Sequence, residues 1–118
     1  MRISRLLFFF VLLLPLQAFA EVYDVSTTAE LREALASAAE AGGDNTVRLA
    51  PGTYSTQDDG EGRFFFNTIK GGSLTIEGSD REQVILDGAD TSRALQVAGN
   101  LSEFLLESVT ITRGFSDE

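Results

Sequence analysis

The chain has 118 residues, with 9 Lys and Arg against 18 Asp and Glu, a net charge of −9, and neither Cys nor His. A chain this acidic, its bases scattered, will not hold a phosphate backbone, which sets nucleic-acid binding aside. The missing Cys excludes a disulfide framework and thiolate chemistry, and the missing His removes the commonest general base and metal ligand.

Residues 1–20 have the three-part form of a secretory signal. Arg2 and Arg5 are the positive start, Leu6 to Leu14 is an unbroken apolar run closed by Pro15, and Ala18-Phe19-Ala20 is a small-residue cleavage site before Glu21. So short a run falls well below the roughly 20 residues that span a bilayer. The expectation is an exported protein, secreted, periplasmic or at the cell surface, after cleavage between Ala20 and Glu21. The mature chain would have 98 residues (118 less 20) and a net charge of −11, the −9 of the whole chain less the two arginines.

Val22-Tyr23-Asp24-Val25 reads as one brief strand. Thr27, with Glu30 three residues on, fits a capping box, in which each side chain accepts an orphan backbone N–H. Leu31, Ala34, Leu35 and Ala38 then make one narrow apolar stripe at helical spacing. Gly42-Gly43 ends it, which predicts a helix from about Thr28 to Ala41.

From Asn45 the period changes to two. Val47 and Leu49, Leu74 and Ile76, Leu95 and Val97, and Val109 and Ile111 each alternate with other residues; Val84-Ile85-Leu86 runs into Asp87-Gly88. Gly closes most of these short segments within a residue or two. Leu74 to Leu95 and Ile76 to Val97 are both 21 residues, as are Val84 to Leu105 and Ile85 to Leu106. A fixed period of this size with short strands predicts a solenoid of stacked coils, each burying its inner face on the next.

Several segments in order carry a resemblance: Glu30-Leu31-Arg32-Glu33-Ala34-Leu35, then Gly43 to Tyr54, then Ser73 to Gly78, Val84 to Gly88 and Leu106 to Gly114. They resemble the opening of secreted right-handed parallel β-helix proteins of the pectin-lyase-like class. The resemblance implies an all-β fold, a right-handed parallel β-helix with one N-terminal capping α-helix. The signal would take 1–20, the cap 21–44 (a short strand and the helix over 28–41), and the first roughly two coils 45–118. The helix would cover the apolar mouth of the first coil, and the last coil would stand incomplete at its C-terminal side, open to self-association.

The class includes calcium-dependent polysaccharide lyases, with clustered Asp and a proton-abstracting Arg or Lys, and glycosidases working through several Asp. Neither constellation is legible here: Arg32, Arg48, Arg63, Lys70, Arg81, Arg93 and Arg113 form no recurrent cluster with acids. Asp58, Asp59 and Glu61 could offer carboxylate oxygens to calcium, but they miss the spacing of the EF-hand loop and read more simply as a solvated loop between coils. Asp87 and Asp90 flank Gly88 in what is first of all a turn. Asn100-Leu101-Ser102 has the form of a glycosylation site, and Asn100 reads as a turn residue after Gly99. Phe64-Phe65-Phe66 could offer a sugar platform, but alternation sends one or two of the rings inside. No catalytic residue, metal ligand or cofactor is therefore assigned. The expected function is a structural or adhesive surface or secreted protein, with polysaccharide or a cell-surface glycan as partner. The alternative is the N-terminal part of a carbohydrate-active enzyme, a lyase or hydrolase whose site lies beyond residue 118.

Overall fold

The computed structural model describes residues 20–114; the expected signal peptide therefore lies, apart from Ala20, outside the described residues. The elements in chain order are β1 (Ala20–Val25), α1 (Thr28–Ala41), β2 (Gly43–Leu49), β3 (Gly52–Ser55), β4 (Phe64–Thr68), β5 (Gly72–Gly78), β6 (Val84–Asp87), β7 (Leu95–Gly99), β8 (Glu103–Glu107) and β9 (Thr110–Thr112). The described residues are mostly β-strand with one helix. Three sheets form, ordered β1-β2-β5-β8, β3-β6-β9 and β4-β7, and every pair in them is parallel.

Helix α1 begins where Thr27 accepts the Glu30 N–H at 3.1 Å. Glu30 reaches back one residue further than a capping box asks, accepting the Ser26 N–H at 2.8 Å. At the other end Gly42 takes φ 71° and its N–H returns to Ala38 O. A side chain at Gly42 would also meet Lys70 Cβ at 2.6 Å. Asn45 Nδ2 donates to the Ala38, Gly42 and Gly43 carbonyls at 3.4, 3.0 and 3.3 Å, and Thr68 Oγ1 donates to Ala39 O at 2.8 Å. Orphan carbonyls at the helix end thus find donors from β2 and β4. Leu31, Ala34, Leu35 and Ala38 are all buried, so the apolar stripe faces the core.

The core consists of Val47 and Leu49 of β2, Tyr54 of β3, Phe64 and Phe66 of β4, Leu74 and Ile76 of β5, and Val84 and Leu86 of β6, with the helix stripe against them. Alternation puts one residue in two inside, and each fully buried aliphatic side chain stabilises by about 2 kcal/mol. Tyr54 carries its hydroxyl inward and donates to Ala50 O at 2.7 Å. Burial pushes its phenol above the ordinary tyrosine value.

The register corrects the 21-residue period. Leu74 lies beside Asn45 on one side and Phe104 on the other, steps of 29 and 30 residues. Leu95 and Val97 pair instead with Phe64 and Phe66 in another sheet. The reason is that β2, β4, β5, β6, β7 and β8 all carry the same apolar-x-apolar form, so a 21-residue step links strands of different sheets. Strand β3 begins at Gly52, although Pro51-Gly52 is by sequence a turn signal, and puts Tyr54 in the core.

Burial declines along the stack. Val47 of β2 and Leu74 of β5 are fully enclosed, whereas Phe104 of β8 is 37% exposed and Ile111 of β9 45%. Leu95 and Val97 are half-buried.

Candidate functional site

Two loops lie one above the other beside the β4-β7 sheet: 56–63, between β3 and β4, and 88–94, between β6 and β7. Thr56 N–H donates to Asp87 O at 3.0 Å, Ser92 Oγ to Thr56 Oγ1 at 3.2 Å, and Gln57 Nε2 to Thr91 Oγ1 at 2.6 Å. Alternation within β4 sends Phe64 and Phe66 inward and leaves Phe65 42% exposed on the outer face. The Arg63 guanidinium sits 4.9 Å from the centre of the Phe65 ring, and its Nε donates to Gln96 Oε1. Arg63, Phe65 and Gln96 therefore form one outward patch of aromatic, cation and amide.

The acidic candidates are engaged in structure. Asp58 accepts the Thr28 hydroxyl at 2.6 Å. Asp59 accepts Arg32 Nε at 2.6 Å and the Glu61 N–H at 3.1 Å, while Arg32 also donates to Gly62 O and Arg63 O. The Arg32 guanidinium beside Asp59 holds that carboxyl below the usual carboxylate range. These contacts clamp the 56–63 loop to α1; among the described residues no three of His, Cys, Asp and Glu are grouped so as to hold a metal ion.

Asp87 accepts Arg113 at both oxygens, 3.1 and 2.7 Å, and its Oδ1 also accepts the Ala89 N–H at 2.8 Å. Arg113 lowers the Asp87 pKa. Asp90 stands 3.6 Å from the same guanidinium. Arg113 and Asp87 come together across β6 and β9, 26 residues apart, and Arg48 sits between Asp24 and Glu77 on the outer face of the first sheet. These are separate ion pairs, which the register creates and sequence distance hides.

Carboxyls held ionised by an adjacent Arg are poor proton donors, and general acid catalysis needs a pKa near the working pH. Asn100 is exposed and its N–H donates to Thr68 O at 2.8 Å, which places it in the turn after Gly99. Sequence reasoning weighed Phe65 but missed its grouping with Arg63 and Gln96; Arg63 lies in the loop just before β4 and Gln96 comes from β7, so the grouping depends on strand register.

Among the described residues no helix is long and apolar enough to cross a membrane. Comparison with family models, curated proteins and solved structures finds no match for this chain.

Proposed function

We propose that these residues are the capped opening of a right-handed parallel β-helix in an exported structural or adhesive protein, one that meets polysaccharide or cell-surface glycan. One observation carries the reading. The chain visits the three sheets in a fixed order, β2, β3, β4, then β5, β6, β7, then β8 and β9, while α1 closes the interior at the β2 side. A rod built in this way presents its outward residues in rows, as adhesive repeats do. The resemblance to pectin-lyase-like openings supports the same reading, though the fold hosts many functions.

A second reading, the opening of a polysaccharide lyase or hydrolase, is favoured by the Arg63–Phe65–Gln96 patch, since an exposed ring beside a cation suits an acidic sugar. Incubation of the purified chain with polygalacturonate and with neutral glycans tests the first reading. The scaffold reading expects retention without turnover; release of shortened or unsaturated products would overturn it. N-terminal sequencing of the exported protein is expected to begin at Glu21, and a mature chain that kept residues 1–20 would contradict export through a cleaved signal.

A further inference from the structure

We infer that Asp59-Gly60 is a self-modification site, held closed by Arg32, at which the backbone rearranges to isoaspartate and frees the 56–63 loop from α1. The chain has two Asp-Gly steps, Asp59-Gly60 and Asp87-Gly88. Such steps are open to rearrangement because glycine puts no side chain beside its nitrogen and leaves the backbone free to turn. The glycine nitrogen attacks the aspartate carboxyl carbon. An N–Cγ bond forms, a Cγ–O bond breaks, and the amide proton leaves with the oxygen as water. The succinimide then takes a water back at the former main-chain carbonyl. The chain now runs through Cγ, with the α-carboxylate as its side group. Ring closure needs a protonated carboxyl, free to turn, and a nitrogen that is not engaged elsewhere.

The two steps differ in these respects. Asp87 is 8% exposed, both its oxygens accept Arg113, and the Gly88 N–H is engaged with Thr112 O at 2.9 Å. Carboxyl and nitrogen are thus both tied. Asp59 and Gly60 are exposed. Among the described residues the Gly60 N–H donates to no protein atom, and a Cβ on Gly60 would meet nothing within 4 Å. The nitrogen and the solvent are ready, and restraint falls on the carboxyl. Its Oδ2 accepts Arg32 Nε at 2.6 Å and its Oδ1 the Glu61 N–H at 3.1 Å, so it cannot turn toward Gly60. The Arg32 hydrogen bond also keeps it ionised, which makes it a poor electrophile. Arg32 holds Gly62 O and Arg63 O as well, so its release opens the loop as a unit. Rearrangement adds a carbon to the backbone and withdraws the carboxylate from Arg32. The loop then cannot close again, and the change reaches Arg63 at its end.

The chemistry needs no ligand and is the same whether the protein is a scaffold or an enzyme. In the test the purified chain is aged at mildly acidic pH, and isoaspartate at each step is followed by electron-transfer fragmentation of its peptides. Arg32→Ala is expected to gain isoaspartate at residue 59 about tenfold or more faster than the wild type, with no change at residue 87. Arg32→Lys, the milder variant, should lie between, and it carries the test if Arg32→Ala does not fold. The residue 87 step reports global unfolding. Equal gain at 59 and 87 in both variants would therefore contradict a local gate. So would a residue 59 rate that neither variant raises, or a folded wild type that converts as fast as the same chain in urea. The converted wild type should unfold at lower urea than the unaged chain; an unchanged midpoint would show that the loop stays clamped and would overturn the release.

Discussion

Arg32 on α1 donates to Asp59 of the 56–63 loop at 2.6 Å, and its guanidinium lies 4.6 Å from the centre of the Phe64 ring beneath. One side chain therefore joins the helix, the loop and the core strand β4. Arg32→Ala should destabilise the chain by about 2 kcal/mol, the scale of charge-assisted hydrogen bonds together with lost stem contacts. Arg32→Lys should recover only part of that, since it lacks the planar fork that serves Asp59, Gly62 and Arg63 together. Urea unfolding of the three proteins measures it.

Acid should weaken the fold through the same pairs. Arg32 lowers the Asp59 pKa and Arg113 lowers that of Asp87. A carboxyl with a lower pKa folded than unfolded adds stability above its unfolded value, near 3.9 for Asp. That contribution disappears as the pH falls through the folded value. Thermal melts from pH 7 downward should therefore fall most steeply below about pH 4, and Asp59→Asn should flatten the decline. A profile unchanged by that substitution would remove the pair from the account.

Inside and outside should differ sharply along the stack. Leu74 is fully buried, whereas Leu105 on the next strand is 42% exposed. Leu74→Ala should cost about 3 kcal/mol, and Leu105→Ala less than about 0.5 kcal/mol. Comparable losses at the two sites would mean that β8 is enclosed.

Gly72 is required by close approach. Its φ is 100°, and a Cβ there would lie 2.0 Å from Gly43 O on the strand beside it. Gly72→Ala should destabilise by more than about 1 kcal/mol through backbone strain alone, and the displaced β2 should loosen the end of α1. Loss of helical signal ahead of the main unfolding transition would show that coupling.

Much of helix α1 was legible in sequence because its signals are local. Thr27, Glu30 and Gly42 lie within or beside the helix they delimit, and the stripe from Leu31 to Ala38 repeats at helical spacing. The three rings of Phe64–Phe66 divided as alternation requires. The strand partners were not legible, because apolar-x-apolar recurs on every face and a period of 21 fits the chain as readily as steps near 30. Strand β3 was hidden behind Pro51-Gly52, a strong turn signal with only Thr53 between it and Tyr54. The pairs Arg32–Asp59 and Arg113–Asp87 were invisible for a related reason: both depend on which strands and loops stack, and sequence separation holds no trace of that.

The stacking itself is the central claim, and interstrand nuclear Overhauser effects on the isotope-labelled chain test it most directly. The register places Leu74 beside Asn45 and Phe104, and Phe64 beside Leu95. Backbone contacts are expected from Leu74 to its neighbours on both β2 and β8, at separations of 29 and 30 residues. Contacts from Leu74 to Leu95 in their place would restore the 21-residue period and contradict the arrangement of all three sheets.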